Sequence, residues 1–330
     1  MSPLAPALEA FFTERLLRQR QASPHTVASY RDAFRLLLSF AQQQTAKAPC
    51  RLDFADLDAP LIGAFLDHLE QERNNTAATR NARLTAVHSL FAFAALRHPE
   101  HAALIARVLA IPPKRTDRAI VSFLSAPEIG ALLASPDRVT WIGRRDHTLL
   151  VVAIQTGLRV SELTGLRCGD VQLGPGANVR CRGKGRKERA TPLATATAAV
   201  VSAWLAERKG GLSDPLFPTR SGDPLSRDAV ERLLAKYANT AGERCPTLKH
   251  KRVTPHVLRH STAMNLLRAG VDTTVIALWL GHENTRTTTS TYLHADLRIK
   301  EAALARTTPP GTKPGRYRPP DALLAFLESL

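Results

Sequence analysis

Cysteine is scarce in this chain, and no two cysteines are placed to pair. Cys50, Cys168, Cys181 and Cys245 are spread over 330 residues with no CxxC spacing. That excludes a disulfide framework and suits reduced thiols in the cytosol. No apolar run approaches the roughly 20 residues of a membrane-spanning helix. The opening MSPLAPALEAFFTERLLRQR scatters acids and bases and has no apolar signal core, so a cytoplasmic protein without a membrane partner is expected. A Walker-type GxxxxGK[ST], an HExxH pair and a paired Asp/Glu cluster are all missing, which argues against nucleotide hydrolysis, zinc proteolysis and two-metal phosphoryl transfer. No metal and no cofactor is expected, and no internal repeat is evident.

Acid is the other shortage. Lys and Arg number 45 against 29 Asp and Glu, for a net charge of +16 and a pI near 10.4. Residues 1–117 carry 14 bases and 11 acids, and residues 118–330 carry 31 and 18. The excess therefore sits in the second part of the chain. Nucleic acid is the natural partner, because neutralising phosphates supplies most sequence-independent affinity. A solubilising basic surface is the bland alternative. An anionic membrane fits poorly, since no strongly basic amphipathic helix occurs. A hydrophobic fraction of 44% supports an ordinary core, and the length suggests about two domains.

Residues 1–110 read as helices. SPHTVASYRDAFRLLLSFAQQQ opens on a Ser23-Pro24 start signal, and Val27, Tyr30, Phe34, Leu37 and Leu38 follow at helical spacing. DAPLIGAFLDHLEQER places Leu61, Ile62, Phe65, Leu66 and Leu69 on one face, and after the Asn74-Asn75 turn TAATRNARLTAVHSLFAFAALRH is again helical. Three or four such helices on short loops make a bundle. Ile111-Pro112-Pro113 with KRTDR marks a linker. Beyond it, SAPEIGALLAS, RRDHTLLVVAIQTG (ending at Gly157) and LRVSELTGL predict helices. NVRCRGKGRKERATPL predicts two strands around a Gly183-Lys184-Gly185 turn. DAVERLLAKYANTAG, TPHVLRHSTAMNLLRAG and DTTVIALWLGH add further helices, and a last one runs through Tyr292.

Four motifs recur in order: TGLRVSEL at residues 156–163, the basic hairpin around Lys184, HVLRH at 256–260 and LGH at 280–282, followed by Tyr292. Together they suit metal-free phosphodiester cleavage. Charge builds on the non-bridging oxygens in the transition state, where preorganised donors contribute most. Arg159 and Arg259 fit, because a planar guanidinium grips two phosphate oxygens at once. Of four tyrosines, Tyr30 and Tyr237 lie on amphipathic helices, Tyr317 lies in a proline-rich linker, and Tyr292 lacks an obvious packing role. With a pKa near 10, a phenol costs roughly 4 kcal/mol to ionise at pH 7, so a base is needed. His256 is the candidate proton acceptor and His282 the candidate second imidazole. The leaving 5′ oxygen needs a proton, for which Lys184 and Lys187 are rivals. RCRGKGRKER holds six bases against one acid, and most of these serve phosphate contact. The phosphate-contact set is Arg180, Arg182, Arg186, Lys187 and Arg189, with Lys249, Lys251 and Arg252 ahead of HVLRH. Glu162, three residues after Arg159, orients that arginine or a motif histidine, or is a plain helix-surface acid. His260 supports the site from behind or belongs to the core. His256 and His260 have the i, i+4 spacing of a zinc pair, but the base glutamate is missing and Arg259 between them would repel a cation.

This series resembles the tyrosine recombinase (phage integrase) family, especially its Xer-like and transposon-borne members, over residues 11–292. The resemblance implies a mainly α fold: an N-terminal helical core-binding (SAM-like) bundle, and an α-rich α+β catalytic domain with a small antiparallel sheet, in a C-shaped DNA clamp. The expected divisions are a DNA-binding domain at 1–110, a linker at 111–118, a catalytic domain at 119–306, and a proline-rich linker with a C-terminal helix at 307–330. The resemblance assigns Arg159, Lys184, His256, Arg259 and His282 as catalytic and Tyr292 as nucleophile, choosing Lys184 over Lys187. The implied function is site-specific recombination of double-stranded DNA through a 3′-phosphotyrosine, in a tetrameric synapse of identical protomers or with a second recombinase. A DNA-binding accessory protein that has lost activity, or a type IB topoisomerase-like enzyme, is the alternative. The interval from His282 to Tyr292 is one residue longer than in close Xer-like members. The apolar tail at 322–330 reads as a helix docking on a neighbouring protomer or on its own domain. Deleting the residues after Gly311 is expected to weaken pairing of two DNA sites on a native gel while single-site binding persists. An unchanged yield of paired complex counts against docking in trans.

Overall fold

The computed structural model describes residues 4–116, 122–183 and 188–281, and the chain divides into two compact units, Met1–Ala119 and Ile120–Leu330. The first unit is helical. Helix α1 (Leu4–Ala10) runs directly into a π-helical stretch, Phe11–Gln19. Ser23 caps α2 (Pro24–Thr45) by accepting the Thr26 amide, and Asp58 caps α3 (Ala59–Gln71) through Leu61. Thr76 does the same for α4 (Ala77–Ala94). Phe34 and Leu37 of α2, Phe65 and Leu66 of α3 and Leu90 and Phe91 of α4 build the core, where the fully buried Phe11 packs against Phe34 and Phe93.

Two elements of this unit escape helical-periodicity reading. The π-helical stretch breaks the 3.6-residue spacing. Helix α5 (Ala102–Leu109) buries only Ile105 and Val108, which is too short a stripe to register. The start of the linker is fixed to α4: Asn81 donates to the Lys114 carbonyl at 2.7 Å and accepts the Lys114 amide at 3.0 Å.

The second unit is built around α7 (Trp141–Thr156), whose Leu149, Leu150 and Val152 are fully buried. Before it comes α6 (Ala126–Leu133), and after it the short α8 (Val160–Thr164). A three-stranded antiparallel sheet follows in the order β1 (Val171–Gln172), β2 (Asn178–Arg182), β3 (Glu188–Pro192). Its register sets Cys181 opposite Arg189 and Val179 opposite Thr191. Directly opposed residues share a face, so Arg189 lies on the inner face with the buried Val179, Cys181 and Thr191. Helix α9 (Thr195–Arg208) is an addition to the sequence reading, because alanines on every side blur the stripe of Thr197, Val201 and Trp204 that it buries. Then come α10 (Arg227–Arg244), α11 (Pro255–Arg268) and α12 (Thr273–Leu280). No helix among the described residues is long and apolar enough to cross a membrane.

Glu128 ties α6 to the segment leading into α11. Its buried carboxylate accepts the Ser125 amide at 2.7 Å, the Thr247 hydroxyl at 2.7 Å and Lys251 Nζ at 2.8 Å, and Lys251 also donates to the Phe123 carbonyl at 2.9 Å. Lys251, expected on DNA, has its ammonium engaged by these two partners while its side chain stays 31% exposed. Burial alone would raise the Glu128 pKa, but the bonds from Lys251, Ser125 and Thr247 win and bring it to about 2. With the folded pKa depressed, this stabilisation is present above pH 4.5 and lost as pH falls toward 2. Glu128→Ala is expected to cost about 3 kcal/mol at pH 7 in urea unfolding, by stranding Lys251. The gap to wild type should shrink below pH 4.5.

Candidate active site

Helix α7 ends at Gly157 in the left-handed conformation (φ +63°), which turns the chain so that Arg159 becomes the N-cap of α8. A Cβ on Gly157 would stand 2.7 Å from Leu280 Cδ2. The end of α7 therefore packs directly on the end of α12. Trp279 Nε1 donates to the Thr156 carbonyl at 3.1 Å, and the Thr262 hydroxyl of α11 donates to Ile154 O at 2.6 Å. These contacts lock α7, α11 and α12 together, and each of the three delivers one motif.

The two motif arginines converge on adjacent peptide carbonyls. Arg259 is buried and donates Nη1 to Gly157 O and Nη2 to Leu280 O, both at 2.6 Å. Arg159 donates Nη2 to Gly281 O at 2.9 Å, while its side chain stays 31% exposed. Carbonyls at helix C-termini lack intrahelical partners and carry partial negative charge, so they hold cations well. Gly281 is itself left-handed (φ +66°). The motifs TGLR, HVLRH and LGH, separated by about a hundred residues of chain in the first gap, meet here.

Glu162 holds Arg159 from the other side. Its carboxylate accepts the Arg159 amide at 2.8 Å and Arg159 Nη1 at 2.9 Å, and it accepts Arg189 twice, Nη1 at 2.9 Å and Nη2 at 2.7 Å. Burial pushes this carboxyl up, but the Arg189 and Arg159 bonds outweigh it and hold the pKa below its usual value. Glu162 thus bonds Arg159 at both its amide and its guanidinium, with Arg189 on the same carboxylate. Arg189, expected among the phosphate contacts, has both terminal nitrogens on Glu162 and a side chain only 14% exposed. The signal for this was available in the strand alternation, which puts Arg189 in register with Cys181.

His256 opens to solvent at the first turn of α11, and its ring lies 6.1 Å from that of His260, nearly parallel. Partial burial, then the cations of Arg259, Arg227 and Arg159, hold the His256 pKa below 6.5. Burial, His256 and Arg259 push His260 down to about 4. Both rings are therefore neutral at pH 7, and a neutral imidazole is what a proton acceptor requires. Arg180, Arg182, Lys249 and Arg252 are exposed, and Arg180 reaches the Gly169 carbonyl at 3.4 Å. Between α8 and the sheet lies a cavity of about 450 Å³ lined by Glu162, Arg180, Cys181 and Arg189. Burial pushes the Cys181 thiol up to about 11, so it is not a nucleophile at neutral pH. No group of three His, Cys, Asp or Glu among the described residues could hold a metal ion. Lys184, Arg186, Lys187, His282, Tyr292 and the tail at 307–330 lie outside the described residues.

Comparison with known proteins gives a consistent answer. The profile of the phage integrase family matches residues 122–298, and that of the phage integrase N-terminal SAM-like domain matches residues 10–98. A Sinorhizobium fredii protein named integrase/recombinase y4rC is 57% identical over 99% of this chain and 98% of its own length. Tyrosine recombinase XerC of Pelobacter propionicus is 31% identical over 90% of this chain and 93% of its own. Among solved structures, the XerH site-specific recombinase bound to its difH substrate shares the fold, with a TM-score of 0.64 and 22% identity over 89% of this chain and 83% of that one.

The histidine pair makes a pH prediction. Both folded pKa values lie below 6.5, so the unfolded chain binds protons more readily and stability falls as pH drops from 6.5 toward 4. His260→Gln is expected to flatten the decline of the melting temperature across that window. A variant declining as steeply as wild type would show that the ring's burial does not govern it.

Proposed function

The chain belongs to the phage integrase family of tyrosine recombinases, and from that premise we propose that Tyr292 is its nucleophile, with Arg159, Lys184, His256, Arg259 and His282 around the scissile phosphate. The protein is a site-specific DNA recombinase, mainly helical with a small antiparallel sheet. What supports the residue assignment is the convergence of Arg159 and Arg259 on the Gly281 and Leu280 carbonyls, which sets both guanidinium groups beside the residue preceding His282.

In the proposed reaction the Tyr292 phenol oxygen attacks phosphorus in line while its proton passes to neutral His256. The bond from phosphorus to the 5′ oxygen breaks, and that oxygen takes a proton from Lys184. The products are a 3′-phosphotyrosine and a free 5′ hydroxyl. Attack by a different 5′ hydroxyl reverses the step and exchanges strands, since the ester keeps the energy of the broken bond. Arg159, Arg259 and His282 donate to the non-bridging oxygens, where negative charge grows. Arg180, Arg182, Arg186, Lys187, Lys249 and Arg252 contact flanking phosphates and set register rather than sequence. Residues 1–110 form the second DNA-binding domain. Four copies, or two of this chain with two of a second recombinase, pair two duplexes in the cytoplasm.

The test uses duplexes selected from a random library for binding to this protein, then nicked near the cleavage point so that the short product diffuses away. Wild type is expected to form a covalent protein–DNA adduct, and Tyr292→Phe to bind equally and form none. Adduct from the Phe variant removes Tyr292 as nucleophile. Binding with no adduct from wild type favours an accessory protein, and relaxation of arbitrary supercoiled plasmid favours a topoisomerase.

A further inference from the structure

Arg189 stands where three parts of the site meet. It is on β3, two residues past the segment 184–187 in sequence, and its side chain is only 14% exposed. Its two terminal nitrogens take both oxygens of Glu162, at 2.9 and 2.7 Å. It also lies against Gly281, where a Cβ would come within 2.6 Å of Arg189 Nη1. One guanidinium thus bonds the partner of Arg159 and lies against the backbone just before His282, from the strand that follows Lys184 in sequence.

Charge balance explains why a second arginine is needed. Glu162 has a side chain 3% exposed and bonds Arg159 through both its amide and Nη1. Alone, that carboxylate would draw Arg159 into a forked, neutralised pair, the arrangement guanidinium and carboxylate prefer. A neutralised Arg159 would then be a poor partner for a phosphate whose charge is rising. With Arg189 forked onto Glu162, the formal charge of the carboxylate is matched. The Arg159 guanidinium is left with one carboxylate oxygen contact, one carbonyl contact to Gly281, and a net positive charge.

We propose that Arg189 is a positioning residue for strand cleavage: it neutralises and fixes Glu162 so that Arg159 keeps its charge and orientation for the scissile phosphate, and it ties that orientation to β3. The proposal deepens the recombinase reading and rests on it. Arg189 touches no DNA in this role, which separates it from the phosphate-contact set.

The experiment measures DNA affinity and the single-turnover rate of adduct formation at saturating nicked duplex, for wild type, Arg189→Met, Arg189→Lys and the Glu162→Gln/Arg189→Met double variant. Arg189→Met is expected to lose about 100-fold in rate, the scale of a small misplacement of a catalytic group, with its dissociation constant and salt dependence unchanged. Arg189→Lys should fall between, because an ammonium supplies the charge without the fork. The double variant should recover part of the rate, since a neutral amide at 162 no longer competes for Arg159. A phosphate contact would behave oppositely: weaker binding, a salt slope smaller by about 1, and a normal rate at saturation. That result, or a wild-type rate in Arg189→Met, overturns the proposal. A double variant no faster than Arg189→Met also overturns it, by reducing Arg189 to a structural support. Wild-type protein forming no adduct at all would instead sink the recombinase reading beneath it.

Discussion

Two guanidinium groups of the same sign are held beside one another in the catalytic unit, Arg159 on Gly281 O and Arg259 on Leu280 O and Gly157 O. Like charges held close together near a protein surface repel, so the arrangement needs a counterweight when no phosphate is there. The protein supplies it in two forms. Carbonyls at the ends of α7 and α12 offer aligned partial charges, and Glu162 offers a formal one that Arg189 shares. A site that keeps cations close together and partly desolvated is preorganised for an oxyanion, which spares reorganisation during the reaction.

The same constraint accounts for the two glycines in the motifs. Gly157 and Gly281 both adopt positive φ, and both present carbonyls to motif arginines. Each also lies where a methyl group would collide, with Leu280 in one case and Arg189 in the other. Their role is to let the ends of two helices approach closely enough for the arginines to span them. Residues far apart in sequence become one site because α7, α11 and α12 share packing and hydrogen bonds through Thr262 and Trp279.

The surplus of base in the second unit is not all directed outward. Arg189 and Lys251 are spent on buried carboxylates, whereas Arg180, Arg182, Lys249 and Arg252 face solvent. The paired cations reinforce the scaffold, and the solvent-facing ones are free to meet phosphate. Burial and neighbouring cations also keep His256 and His260 neutral at pH 7. Burial acts first and the neighbouring cations add to it, because both penalise any additional positive charge.

Motif order, the Ser23 cap, the glycine stop after α7 and the two strands at 178–182 and 188–192 are all local, and each was legible in the sequence because caps, helix stops and short-period stripes depend on neighbours in the chain. The π-helical segment, the short α5 and the alanine-rich α9 were not, since their few buried positions are chosen by what packs on them. Sequence likewise nominated Arg159, Arg259 and His256 by residue type and spacing. It could not tell which arginines of the hairpin turn inward, because a strand's two faces acquire meaning only once one of them is buried. The tertiary structure decided that Arg189 pairs with Glu162 and Lys251 with Glu128, as both pairings depend on elements brought together across long stretches of chain.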